Sequence, residues 1–233
     1  MPLNVRRLYA SIFLVFVSLV ISAKAQQPQP TPAQVAAVPP QTAAQQKPLP
    51  QPTTPTSGDV MRGRISKAKA FIAVRNYNAA IYELENIRRE TSDSVVQGVV
   101  NVLLTNSYLE QGDYKRAQDL LTEFYTAQKT NKPNAPASYM AVAGQIVKGA
   151  RNRVERYRSL GLSVSDRTLP LEAMNDLDKM RETLELVVTQ AKEIGANKAR
   201  TDDAMALLEE ASNSRSMLAR DDYDSRRWTN ELS

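Results

Sequence analysis

The sequence predicts an all-α protein made of stacked helix-turn-helix pairs, about seven helices in all. Three observations predict it. A pattern recurs 37 residues apart: Phe71, Tyr77, Ala80, Leu84 and Ile87 correspond to Tyr108, Tyr114, Ala117, Leu121 and Phe124. From Ser57 onward the apolar residues keep a helical period, and no strand-like alternation of β-branched residues lasts more than a few positions. The only prolines there, Pro133, Pro136 and Pro170, fall where helices are expected to begin or end.

The first helix is expected from about Asp59 to Arg75 and the second from about Tyr77 to Arg89. A Ser92-Asp93 cap opens the third, which ends near Gln111, because Gly112 can take the left-handed conformation that closes a helix. The fourth follows from Tyr114 to about Thr130. After the loop Asn131-Lys132-Pro133-Asn134, Pro136 suits the first turn of a fifth helix. That helix carries Tyr139, Val142, Ala143, Ile146, Val147, Ala150, Val154, Tyr157 and Leu160 on one face and stops at Gly161. Pro170 and Glu172 open the sixth, whose stripe runs from Met174 through Leu177, Met180 and Leu184 to Ile194. The two methionines are read as core residues. Thr201, followed by Asp202 and Asp203, caps a seventh helix with Ala204, Leu207, Leu208, Ala211 and Leu218 inward. Residues 221–233 are highly charged and hold the only tryptophan, Trp228, which is expected to dock this tail onto the bundle or onto a partner.

The front of the chain has a different character. Residues 1–25 have the three-part form of a secretory signal: Arg6 and Arg7, an apolar run from Leu8 to Ala23, and small residues at Ala23 and Ala25. Cleavage there would leave Gln26 first. The competing reading is an uncleaved inner-membrane anchor through residues 8–23. Residues 26–57 hold nine prolines, eight glutamines and one charge, Lys47. This composition cannot bury enough apolar surface to offset its ordering entropy, so a disordered linker is expected there and a helical domain over residues 58–233.

Composition narrows the function. The chain has 30 lysines and arginines against 25 acids. Residues 1–25 hold three of the basic residues and no acid, so the remainder is 27 against 25, a net +2. That balance gives no reason to expect a nucleic-acid partner. Neither histidine nor cysteine is present. A Ser-His-Asp triad, a Cys-His pair, a His-based zinc site and a disulfide framework are therefore all excluded. No spacing brings two carboxylates to one cleft, as a glycosidase would need, and no glycine-rich phosphate loop occurs. Asp202 and Asp203 read as helix N-terminal charges, and Glu209 and Glu210, being adjacent, diverge. No catalytic residue, metal ligand, cofactor or small-molecule substrate is expected.

The second copy of the repeat places Leu104, Thr105 and Tyr108 on one helix, Gly112 and Tyr114 at the turn, and Ala117, Leu121 and Phe124 on the next. This resembles the tetratricopeptide repeat. The first copy matches at Ala68, Phe71, Tyr77, Ala80 and Leu84. It departs at Arg64 and Lys67, where apolar residues are usual, and at Arg75, which replaces the turn glycine. The resemblance covers residues 60–130. Such stacks need about three units, so the later helices are expected to cap the domain.

The resemblance implies a partner-binding groove along the first helix of each pair. Here it would be lined by Ile65, Lys69, Ile72, Val99, Val102, Asn106, Leu109 and Glu110. The expected occupant is a segment of another envelope protein, and the expected role is that of an exported adaptor or scaffold, periplasmic or secreted. A second candidate surface, for an anionic partner, is the cluster Lys148, Arg151 and Arg158 on the fifth helix; the plainer reading is a solvated face with an Arg151–Glu155 pair. An alternative role comes from residues 1–57, which resemble the front end of TonB-type energy transducers. In that case the chain would be a membrane-anchored structural protein with a proline-rich spacer, and membrane contact would come only from an uncleaved signal segment.

Overall fold

The computed structural model describes residues 57–130, 132–196 and 201–230; the signal and linker assignments fall on residues 1–56, outside the described residues, apart from Ser57. Among the described residues there are eight helices and no strand: α1 (Ser57–Ala73), α2 (Tyr77–Glu90), α3 (Ser94–Gln111), α4 (Tyr114–Lys129), α5 (Ala135–Ser159), α6 (Leu171–Gly195), α7 (Thr201–Met217) and α8 (Asp222–Thr229). The first seven stand where the apolar periods and caps put them. Ser57, assigned to the linker, is already the first residue of α1. The charged tail forms the eighth helix. Asp221 accepts a hydrogen bond from the Asp224 N–H and so caps α8.

Local chemistry sets the boundaries. Asn76 accepts from the Ala79 N–H, Asp93 from those of Val95 and Val96, and Asp113 from that of Arg116. Each satisfies a donor that a helix start leaves open. The 37-residue repeat extends to the hydrogen bonds of the turns. The Arg75 N–H bonds to the Ile72 carbonyl and the Asn76 N–H to that of Phe71. In the second copy, Gly112 bonds to Leu109 and Asp113 to Tyr108. The same pair of bonds closes α5, where Gly161 bonds to Arg158 and Leu162 to Tyr157. An aromatic residue therefore stands at the same place in three turns: Phe71, Tyr108 and Tyr157. Gly112 and Gly161 sit at φ 79° and 72°, and Arg75 holds the equivalent position at φ 59° without a glycine's freedom.

Cross-helix bonds give the directions. Arg64 reaches Glu90 while Lys67 reaches Glu83, so α1 and α2 run antiparallel. Tyr108 meets Glu85 and Gln111 meets Asn78, so α2 and α3 do too. Gln145 donates to Asn106 and Arg153 to the Leu109 carbonyl, so α3 and α5 are parallel. Every helix packs on its successor, and the odd helices also pack in series, α1 on α3, α3 on α5 and α5 on α7. The core runs through this series, with Leu84, Leu104, Leu121, Tyr139, Ile146, Leu177, Met180 and Leu184 all but fully buried. Met180 is thus core, as read from the sequence, and Met174 packs against it half-buried.

Three buried arginines tie the helices together. Arg153 on α5 donates from Nη2 to the Leu109 carbonyl and to the Tyr114 hydroxyl, 2.9 Å each, and pairs with Asp176 on α6 at 3.1 Å. The Tyr114 hydroxyl in turn donates to Asp176 at 2.7 Å. Arg181 on α6 donates to the Leu218 carbonyl beyond α7 and, at 3.0 Å, to the Val164 carbonyl in the α5–α6 loop. Arg215 on α7 pairs with Glu185 on α6 and grips Asp224 on α8 with both terminal nitrogens, at 2.9 and 3.1 Å. Trp228 is buried with its ring 5.0 Å from the Arg215 guanidinium, and its indole N–H donates to Asp224. The tail is therefore docked on the bundle.

Two outcomes are expected. Arg153→Ala leaves Asp176 and the Leu109 carbonyl without this donor, and should lower the unfolding free energy by about 3–5 kcal/mol in urea titrations. Arg75→Gly relieves a left-handed side-chain position, and should raise it by about 0.5–1 kcal/mol in the same measurement.

Candidate partner-binding groove

The faces of α1, α3 and α5 left uncovered by the core form a trough. It encloses about 500 Å³, and its lining includes Lys69 from α1, Gly98, Val99 and Val102 from α3, and Ala137 and Ala141 from α5. Its chemistry follows from side-chain size. Gly98 and the two alanines keep the floor low, and a side chain built at Gly98 would meet no atom within 4 Å. The valines supply apolar walls. Val95 is 74% exposed and Val99 41%, which is high for residues of that type. Lys69 is the single charged residue of the lining. Ser94, Asn134 and Ser138 stand where the trough meets a second, more polar cavity of about 710 Å³. Hydroxyl residues of α4 and of the segments beside it, among them Ser92, Thr122, Thr126 and Thr130, border that cavity.

Of the eight residues assigned to the groove from sequence, the structure places Lys69, Val99 and Val102 in this trough. Ile65 and Ile72 are half-buried and pack against the core from α1. Leu109 is a correction: it is buried, facing α5 across Gly149, where an added β-carbon would come within 2.7 Å of Leu109 Cδ1. A bulky charge at Leu109 would therefore break the core instead of blocking a groove. Asn106 is half-buried and accepts a hydrogen bond from Gln145, joining α3 to α5. Glu110 is paired to Arg156 of α5. The residues that sequence reasoning left out are Gly98, Ala137 and Ala141. Their signal was small size on one face of α3 and α5, legible only once α5 was known to lie along α3.

The basic cluster on α5 is also revised. Arg158 pairs with Glu155, and Arg151 donates to the Ser214 hydroxyl of α7 at 3.0 Å, in place of the Arg151–Glu155 pair. Lys148 is exposed. The three do not form one free cationic surface. Elsewhere, Arg167, Arg181 and Arg220 line a cavity of about 170 Å³ together with Asp166, Asp178 and Asp221, so the three positive charges meet three negative ones. Among the described residues no three acidic side chains gather as a metal site would require, and no helix is long and apolar enough to cross a membrane.

Ion pairs hold α1, which supplies Lys69 to the trough, against α2. Arg64 bonds to Glu83 at 2.6 Å and to Glu90, and Lys67 approaches Glu83 at 3.4 Å. The hydrogen bond from Arg64 holds the Glu83 carboxyl below its ordinary value of 4.5, against the opposing effect of desolvation, and Lys67 adds to the lowering.

No family model matches the chain, and no curated protein or solved structure is significantly similar to it. The geometry of the trough therefore stands as the functional information.

Because the folded-state value of Glu83 is lowered, its contribution is complete above the unfolded carboxylate range and is lost as pH falls through the folded value. Glu83→Gln should lower stability at pH 7 and make the acid-induced loss of helical circular dichroism less steep below about pH 4.5.

Proposed function

We propose that this chain is an exported adaptor of the bacterial cell envelope that binds a segment of another envelope protein in the trough along α1, α3 and α5. The observation that carries the reading is the open apolar trough itself, with Val95 and Val99 facing solvent above a floor of Gly98, Ala137 and Ala141. An open apolar trough rimmed by polar residues offers a partner segment apolar surface to cover. The tetratricopeptide-like reading is supported by the turn repeated at Arg75, Gly112 and Gly161 and by the serial packing of the odd helices. Export rests on the signal-like residues 1–25.

The mechanism is non-covalent. An apolar segment lies against the valines, and its polar groups meet Lys69 and the Ser94 and Ser138 hydroxyls at the edges. Binding energy comes from apolar area removed from water, on the order of 25 cal/mol per Å². No catalytic step is part of the reading.

Val99→Glu puts a charge into the wall of the trough at an exposed position. Capture of envelope proteins in a crosslinked pull-down should fall at least about tenfold, equivalent to about 1.4 kcal/mol. Tyr82→Glu, on the exposed face of α2, should leave capture unchanged, and both variants should keep the parent melting curve. Undiminished capture by Val99→Glu overturns the reading.

A further inference from the structure

The polar cavity beside the trough has the makings of a second site. Its volume of about 710 Å³ falls within the roughly 300–1,000 Å³ typical of small-ligand sites. Three observations describe what it would hold. The first is a row of hydroxyls. Thr122, Thr126 and Thr130 recur every fourth residue along α4 and its C-cap, and all three border the cavity, in a row about 12 Å long. Asn134 and Ser138 border it with the same spacing at the start of α5, and Ser94 and Gln97 close it from α3. The second observation is that most of these groups are unspent. Elsewhere in the helices, Thr105, Ser107, Thr183 and Thr189 each donate to the carbonyl four residues back. Thr130 donates to the Ala127 carbonyl. Among the described residues, the hydroxyls of Ser94, Thr122, Thr126 and Ser138 make no hydrogen bond. Gln97 spends its Nε2 on the Thr91 carbonyl at 2.8 Å, which leaves Oε1 to accept. The third observation is neutrality. The charged residues of the lining are Glu123, already paired with Arg88, and the exposed Lys132. Phe124 and Ala127 add an apolar patch among the hydroxyls.

We propose that this cavity binds an uncharged oligosaccharide carrying acetamido groups. A hydroxyl both donates and accepts, so a set of free hydroxyls suits a ligand whose own groups do both, as sugar hydroxyls do. An ionic ligand would have to compete with the Glu123–Arg88 pair and would find Lys132 alone. The C–H face of a sugar ring can lie on the half-buried Phe124. An acetamido N–H suits the open Gln97 Oε1, and its methyl suits Ala127. The row on α4 is long enough to meet more than one ring. Because Ser94, Asn134 and Ser138 border both cavities, a bound sugar would stand beside any segment held in the trough. The inference does not rest on the trough being occupied, since the threonine row lies outside it.

Titration calorimetry on the full chain tests it, with N-acetylated chitotetraose as the probe. Binding is expected with a dissociation constant of about 1 mM or tighter. Cellotetraose, which has the same linkage but a hydroxyl in place of each acetamido group, should bind at least about tenfold more weakly, because the Gln97 oxygen then loses its amide donor. Thr126→Arg puts a long side chain into the cavity from an exposed position, and should weaken chitotetraose binding at least about tenfold while keeping the parent melting curve. Thr122→Arg, one turn earlier in the row, should do the same, and Tyr82→Glu should change nothing. No heat from chitotetraose at millimolar concentration, equal binding of the two sugars, or binding unmoved by both arginine variants would each overturn the proposal. The two sites fail separately. Val99→Glu should abolish capture in the trough and leave sugar binding intact, whereas the absence of sugar binding leaves the trough reading untouched.

Discussion

The packing of α5 depends on the charge of Arg153. A buried guanidinium is costly unless its donors are met, and here they are met from three different helices. One partner is the Leu109 carbonyl in the last turn of α3, which also accepts from the Gly112 N–H that closes the helix. Another is the Tyr114 hydroxyl at the start of α4, and the third is Asp176 near the start of α6. A single side chain thus fixes where one helix ends, where the next begins, and how two later ones lie across them. Arg181 repeats the device at the Leu218 carbonyl, just past the end of α7. A cation near the C-terminal end of a helix also meets the negative end of its dipole. The floor of the trough follows from this arrangement, because Arg153 sets the placement of α5 and α5 carries Ala137 and Ala141.

The sequence was legible wherever the governing physics is local. Capping residues such as Asp93, the glycines at 112 and 161, and the apolar stripes located seven helices. The 37-residue echo was legible too, since it encodes a turn with its own hydrogen bonds. What was not legible depends on a third helix. Leu109 and Val102 both lie on the face of α3 that the repeat frame turned toward a groove, yet α5 covers Leu109 through the gap at Gly149 and leaves Val102 at the opening. Arg153 stood among Arg151, Arg156 and Arg158 with nothing in its own neighbourhood to mark it as the buried one. The sequence left the tail open between helix and frayed end, because the stability of α8 comes from Trp228 and Asp224 meeting Arg215, a contact between elements.

The trough and the core are made of the same residue types and differ in what lies above them. Val100 and Val99 are neighbours on α3; the first is fully buried and the second 41% exposed. The exposed valines forgo part of the burial energy, about 1.5–3 kcal/mol, that a fully buried position would give each. That energy becomes available when a segment covers them, which is how a surface left incomplete by folding can become a binding surface.

The serial packing of the helices has a consequence for how the chain reaches this state. Among the described residues, each helix meets only the two that follow it and the two that precede it. The side-chain bond from Tyr125 to Glu193 spans 68 positions, and that from Arg153 to the Leu109 carbonyl spans 44. Loops of that length are closed at modest entropic cost. The buried arginines impose the one delay. Arg153 cannot be desolvated until α3, α4 and α6 are all present, and the junction they share is therefore the step at which separate hairpins become a single cooperative unit.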